Sequence, residues 1–178
     1  MKVTYDQNRK QKGLTLVEIL VVLGIFALIS FFGVSLFFSL LRSSRKTEMI
    51  AKVKQNGDYA INVMERAIRS ANSLGEEAGN SSSVTVLSGD EEHVFSCELG
   101  GTGGNSLFYK IDGEGGRMID KDLRVESPCG QFFYITKGDP GASPDKVKIE
   151  FTLSANGGSR PEEQASVDFQ TTVVLRNF

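Results

Sequence analysis

The sequence predicts an α+β chain: one long N-terminal helix, membrane-spanning in its first part, continuing into a domain whose antiparallel β-sheet packs on the helix's C-terminal half. Three observations predict it. From Ile19 to Leu41 there is not one charged residue. Apolar residues then recur at spacings of three and four from Ile50 to Ala71, which marks one face of a helix. From Val84 onward the period changes to two, the alternation of strands with one face in and one face out.

Taken in order, residues 1–13 are a polar, basic leader, with Lys2, Arg9, Lys10 and Lys12 against Asp6. Residues 14–41 are the apolar helix. Its 23 uncharged residues from Ile19 to Leu41 reach about 35 Å at ~1.5 Å per residue, enough for a bilayer core of roughly 30 Å. A secretory signal has its apolar stretch ahead of a small-residue cleavage site and loses it on cleavage. Here the polar part comes first and no such site follows Leu41, so a cut at Gly13 leaves the whole apolar helix on the mature chain. Glu18 then stands as the fifth residue. A carboxylate at the edge of an apolar span is costly in lipid and usually marks function.

Residues 42–75 read as an amphipathic continuation of the helix. Ile50, Val53, Gly57, Ala60, Ile61, Met64, Ile68 and Ala71 form the stripe, and Lys52, Lys54, Asp58, Glu65, Arg66 and Arg69 fill the other face. The stripe is expected to hold a sheet rather than a partner, and to stop near Leu74-Gly75. Residues 76–178 are the β-rich globular region. Glu76 to Ser83 reads as an exposed connection. Strands are expected at Val84–Leu87, Val94–Cys97, Ser106–Ile111, Arg117–Ile119, Phe132–Ile135, Lys146–Leu153 and Val167–Leu175. The turn Asp112-Gly113-Glu114-Gly115-Gly116 makes a hairpin of the third and fourth.

The segment Lys12-Gly13-Leu14-Thr15-Leu16-Val17-Glu18, with Ile19-Leu20-Val21-Val22-Leu23-Gly24-Ile25 behind it, resembles the leader and N-terminal helix of the type IV pilin and type II secretion pseudopilin superfamily. The resemblance covers about the first third of the chain. It implies a pilin-like fold and a prepilin peptidase that cuts between Gly13 and Leu14 and methylates the Leu14 amine. It also implies that Glu18 registers subunits in a filament by pairing with a neighbour's N-terminal amine. The implied partners are other pilin or pseudopilin subunits, the prepilin peptidase and inner-membrane assembly machinery. The implied place is a bacterial inner membrane, single-pass with the N-terminus inside and the globular domain outside, and then a filament. Leu14 stands where major pilins usually have Phe, and no proline interrupts the helix near Ser35; both lean towards a minor member. The presence of Glu18 leans away from the tip-type pseudopilin, which lacks that acid.

Composition restricts the alternatives. Residues 1–13 hold four basic residues and one acid, so without them the net charge of −2 becomes −5. That balance argues against nonspecific nucleic-acid binding, which needs clustered Lys and Arg. A competence-type pilin binding DNA therefore stands as an alternative that needs an exposed basic cluster, and Lys146 and Lys148 alone are too few. A plain membrane-anchored extracytoplasmic domain is another; an anchored hydrolase is discouraged because His93, the only histidine, has no nucleophile motif around it. Cys97 and Cys129 are the only cysteines, and an even pair in an exported chain invites a disulfide. Asp112, Glu114 and Asp120 among glycines are weak oxygen-ligand candidates for calcium, without the full twelve-residue loop pattern. No cofactor is implied: Gly100-Gly101-Thr102-Gly103-Gly104 lacks the Gly-Lys-Ser/Thr of a phosphate loop and reads as a flexible connection.

Overall fold

The structure is a computed structural model that describes residues 13, 15–76, 78–99, 104–139, 143–155 and 164–176. The chain divides into two compact units, Met1–Arg42 and Ser43–Phe178. One helix, α1, runs Leu16–Ser70. In the first unit every side chain described from Thr15 to Arg42 is exposed. This stretch is an apolar rod exposed along its described length.

In the second unit α1 buries Val53, Gly57, Ala60, Met64 and Ile68, a four-three-four-four spacing that keeps one face on the sheet. Ile50, the first member of the expected stripe, is exposed. The helix closes at Ser70, before the expected stop at Leu74-Gly75, because Asn72 already donates its N–H to Leu87 O at 2.7 Å and the chain has turned into the sheet.

The sheet is antiparallel throughout. Its strands are β1 (Ser73–Leu74), β2 (Gly79–Ser81), β3 (Ser83–Ser88), β4 (Glu91–Leu99) and β5 (Asn105–Ile111), then β6 (Glu114–Arg117), β7 (Leu123–Val125), β8 (Phe133–Thr136), β9 (Lys146–Ala155) and β10 (Ser166–Val174). The main order is β1-β3-β4-β5-β7-β9-β8-β2, with β6 on β5 and β10 on β9. Strand β9 is the spine. β10 lies along one of its edges from Ser166↔Ser154 to Val174↔Lys146. Its other edge takes β7 at Leu153–Ala155 and β8 at Lys146–Ile149. Between them Glu126 N donates to Thr152 O and Glu150 N to Phe132 O, so β7 and β8 act as one strand interrupted by a bulge at residues 127–131.

The alternation read in β9 is observed: Val147, Ile149, Phe151 and Leu153 are all buried, against half-exposed or exposed Lys146, Lys148, Glu150 and Thr152. The β5–β6 hairpin turns more tightly than expected. Its loop is Asp112-Gly113 alone, with Ile111 opposite Glu114, and both loop residues have positive φ, 51° and 83°, as a primed two-residue turn demands. The connection from Glu76 to Ser83 is not wholly irregular, since β2 lies within it and pairs with β8. β7 was not anticipated at all. Most of the glycine run at 100–104 lies outside the described residues.

The core is centred on a column of aromatic rings. Phe132 stacks on Phe151 at 4.8 Å and Phe151 on Phe169 at 5.2 Å. The column ends against the helix at Gly57, where an added Cβ would fall 2.0 Å from Phe169 Cζ. Glycine is in the stripe because a ring occupies the space a side chain would need.

Candidate functional site

The helix begins at Leu16 for a local reason. Thr15 precedes it, and its Oγ1 accepts the N–H of Glu18 at 3.3 Å while its carbonyl accepts the N–H of Ile19 at 3.2 Å. Thr15 is thus the N-cap and Glu18 the third helical residue, the Thr-x-x-Glu spacing of a capping box. The Glu18 carboxylate lies in the first turn, at the positive end of the helix dipole. This role was legible in Thr15-Leu16-Val17-Glu18 and missed. Glu18 is exposed, and among the described residues no cation pairs with it. Gly13 is exposed, with nothing within 4 Å of where a Cβ would be. The fold itself makes no steric demand for glycine there. Lys12 and Leu14 lie outside the described residues.

Beyond these residues, α1 is long and apolar enough to cross a membrane. Leu16 to Leu41 present Leu, Ile, Val and Phe on every side rather than along one stripe. A helix apolar all round belongs in lipid or among other apolar helices.

The other expected residues separate. Cys97 on β4 and Cys129 in the β7–β8 bulge are bridged, Cα atoms 5.2 Å apart, across a sequence separation of 32. The bridge ties the bulge to the middle of the sheet. The three calcium candidates do not form a set. Asp112 Oδ1 accepts the N–H of Glu92 at 2.9 Å at the hairpin tip, and Glu114 is an exposed strand residue. Asp120 instead pairs with Lys52 of α1 at 2.9 Å, and Asp122 joins at 3.0 Å. Its backbone N–H is also held by Asn56 Oδ1 at 3.0 Å. These bonds lock the loop after β6 to the helix. The hydrogen bond from Lys52 is the main reason that the Asp120 carboxyl is held below the usual carboxylate range, and the same pairing raises Lys52. Among the described residues no three His, Cys, Asp or Glu side chains are grouped to hold a metal ion.

His93 is half-buried on β4, with Nδ1 2.8 Å from the Tyr109 hydroxyl and its ring nearly parallel to that of Tyr109. Burial pushes the Tyr109 phenol up, with the Glu91 carboxylate adding to it. Lys148 is paired with Glu150 at 2.6 Å, so the short basic strand at 146–148 is partly neutralised.

A family model described as the prokaryotic N-terminal methylation motif matches residues 8–33. The chain therefore carries the leader signature of type IV pilins and pseudopilins, on the segment where the helix cap, Glu18 and the first half of the apolar rod lie. The motif supports a type IV pilin-like or pseudopilin subunit, and marks structural proteins rather than enzymes. With the apolar helix it fits inner-membrane anchoring. No curated protein and no solved structure matches the chain.

Proposed function

We propose that this chain is a minor pilin or pseudopilin, a structural and assembly subunit of a type II secretion or type IV pilus-like filament. It is made as a membrane-anchored precursor with its N-terminus inside, cut after Gly13 by a prepilin peptidase, and methylated on Leu14. The observation that carries this reading is the methylation motif at residues 8–33 set on a helix whose apolar side chains are exposed on every side. In the bilayer lipid covers that surface; in a filament neighbouring helices replace lipid. Glu18 is costly in either place without a partner, so pairing with a neighbour's N-terminal amine favours correctly registered addition. Minor rather than major status rests on Leu14 and on the unbroken apolar stretch without proline.

Processing is tested by intact-mass analysis after coexpression with a prepilin peptidase. The expected product has lost residues 1–13 and carries a methyl group on Leu14; a product retaining Met1, or cut beyond Leu41, refutes the reading. Registry is tested at Glu18 with two substitutions. Glu18→Leu removes both the charge and the polar side chain from the first helical turn, whereas Glu18→Gln keeps a polar side chain of the same shape and removes only the charge. Under the registry reading both variants stay in the membrane and both lose recovery in sheared filaments. If only Glu18→Leu fails, the acid serves the helix start. If neither fails, the chain is a plain anchored domain, because in a lone anchor a leucine only eases insertion.

A further inference from the structure

The second unit carries a concentration of positive charge at the end of α1. Arg66 and Arg69 from the last turns of the helix and Arg176 from beyond β10 line one open cavity of about 600 Å³, with Ser70, Ala71 and Asn72. All three arginines are exposed, and among the described residues no acid lines the cavity. Among the described residues Arg66 and Arg176 have no acidic partner, and Arg69 has Glu65 at 3.6 Å. Cations in a last helical turn offset the dipole by about 0.3–1 kcal/mol each. That accounts for Arg69, in the last turn, but not for Arg66, three residues earlier on the same face. Nor does it account for Arg176, which arrives from a distant part of the sequence. Its placement is set by the fold: the preceding residue, Leu175, is buried and donates its N–H to Asp145 O at 2.9 Å. Two guanidiniums without an acidic partner among the described residues, and a third shared with Glu65, thus line one concavity.

We infer that this cavity is a receptor for carboxylate side chains of a partner protein. A guanidinium fork takes a carboxylate or a phosphate with two parallel hydrogen bonds. The surroundings favour the carboxylate. The adjoining groove shares Arg66 and Ser70 and is lined by Tyr59, His93 and Tyr109, where Glu91 lies 3.6 Å from His93. A phosphodiester strand leaving the cavity along that groove meets this carboxylate. The Tyr109 ring is also partly taken, with Phe95 stacked on it at 4.6 Å and His93 Nδ1 on its hydroxyl at 2.8 Å. An Asp or Glu side chain on a partner's surface needs only the arginine cavity and avoids both obstacles. The surface is local in an otherwise acidic domain, so it selects for a charged point rather than a charged polymer.

The test uses the full chain in a neutral detergent at low salt, with fluorescein-labelled hexaglutamate as the probe and anisotropy as the readout. Saturable binding is expected, weakened about tenfold or more by Arg66→Gln combined with Arg176→Gln. Arg66→Lys with Arg176→Lys keeps the charge but not the fork, and should fall between. Lys146→Gln with Lys148→Gln should leave binding unchanged. All these positions are exposed or half-exposed, and matching unfolding temperatures exclude a folding defect. Three results overturn the inference. One is no saturable binding at millimolar peptide, which makes the arginines helix-end charges only. Another is equal loss in the Lys146/Lys148 variant, which makes the effect nonspecific. The last is tighter binding of an oligothymidylate of equal charge, which makes the cavity a nucleic-acid contact.

Discussion

Replacing Gly57 by alanine should destabilise the globular unit, against the usual effect of that change in a helix. In an open helix interior Gly→Ala stabilises by about 1 kcal/mol. Here the new Cβ would sit 2.0 Å from Phe169 Cζ and 2.4 Å from each Cε, where carbon atoms ordinarily keep roughly 3.5–4.0 Å. The ring cannot simply retreat, because Phe151 stacks behind it at 5.2 Å and Phe132 behind that at 4.8 Å. Overpacking of this kind costs about 1–3 kcal/mol, and so severe an overlap belongs at the upper end. The net expectation is about 2 kcal/mol of lost stability. For a domain of this size that is a fall of roughly 6–8 °C in Tm. The assay is thermal and urea unfolding of residues 43–178 as wild type, Gly57→Ala, Phe169→Leu and the double variant. Phe169→Leu alone should cost about 1 kcal/mol or somewhat more. In its background Gly57→Ala should turn neutral or stabilising, giving a coupling of about 2 kcal/mol. A rise in Tm for Gly57→Ala with Phe169 intact, or simple additivity in the double variant, would refute the reasoning.

The remaining predictions concern the same unit. Residues 43–178 should be soluble, monomeric and cooperatively folded, because this stretch is one compact unit with its own core; aggregation without an unfolding transition would mean the apolar helix belongs to that core. Reducing Cys97–Cys129, whose sequence separation is 32, should lower stability by about 3–4 kcal/mol from loop closure alone, read as a Tm shift under reductant; an unchanged Tm would contradict it. The Lys52–Asp120 pair should act at the pH extremes. Asp120 is depressed when folded, so its contribution is present above the unfolded carboxylate pKa of about 3.9 and is lost as pH falls through the lower folded value. Lys52 is raised, so its contribution is present below about 10.4 and lost as pH rises through its folded value. Both side chains are about one-third exposed, which keeps the effect under about 1 kcal/mol. Lys52→Met should therefore flatten the loss of stability below about pH 4 in urea midpoints, and an unaltered acid limb would count against the pairing.

What was legible in the sequence is what short-range periodicity encodes. An uncharged run long enough for a bilayer, a stripe at three and four, and strict alternation in β9 each depend on neighbours within a turn or two of chain. They led to the long helix, the face it buries and most of the strands. The methylation motif is also a contiguous segment, so it too was readable without a fold. What the tertiary structure decided depends on residues far apart in the chain. β1, β2 and β7 are two or three residues long and too short to show a period; they are strands only because β3, β8 and β9 supply their hydrogen bonds. Cys97 and Cys129 suggested a bridge, but only the bulge beside β9 brings their Cα atoms to 5.2 Å. Asp120, in sequence only a weak candidate for a metal ligand, is an ion-pair partner of Lys52, because the loop after β6 folds back on the helix. Gly57 counted as one more small apolar residue until Phe169 came to rest on it. Arg66, Arg69 and Arg176 form a charged concavity only when the end of β10 meets the end of α1. Sequence periodicity reports which face of an element is apolar; which side chain arrives opposite it is set by the pairing of strands, and that pairing is non-local.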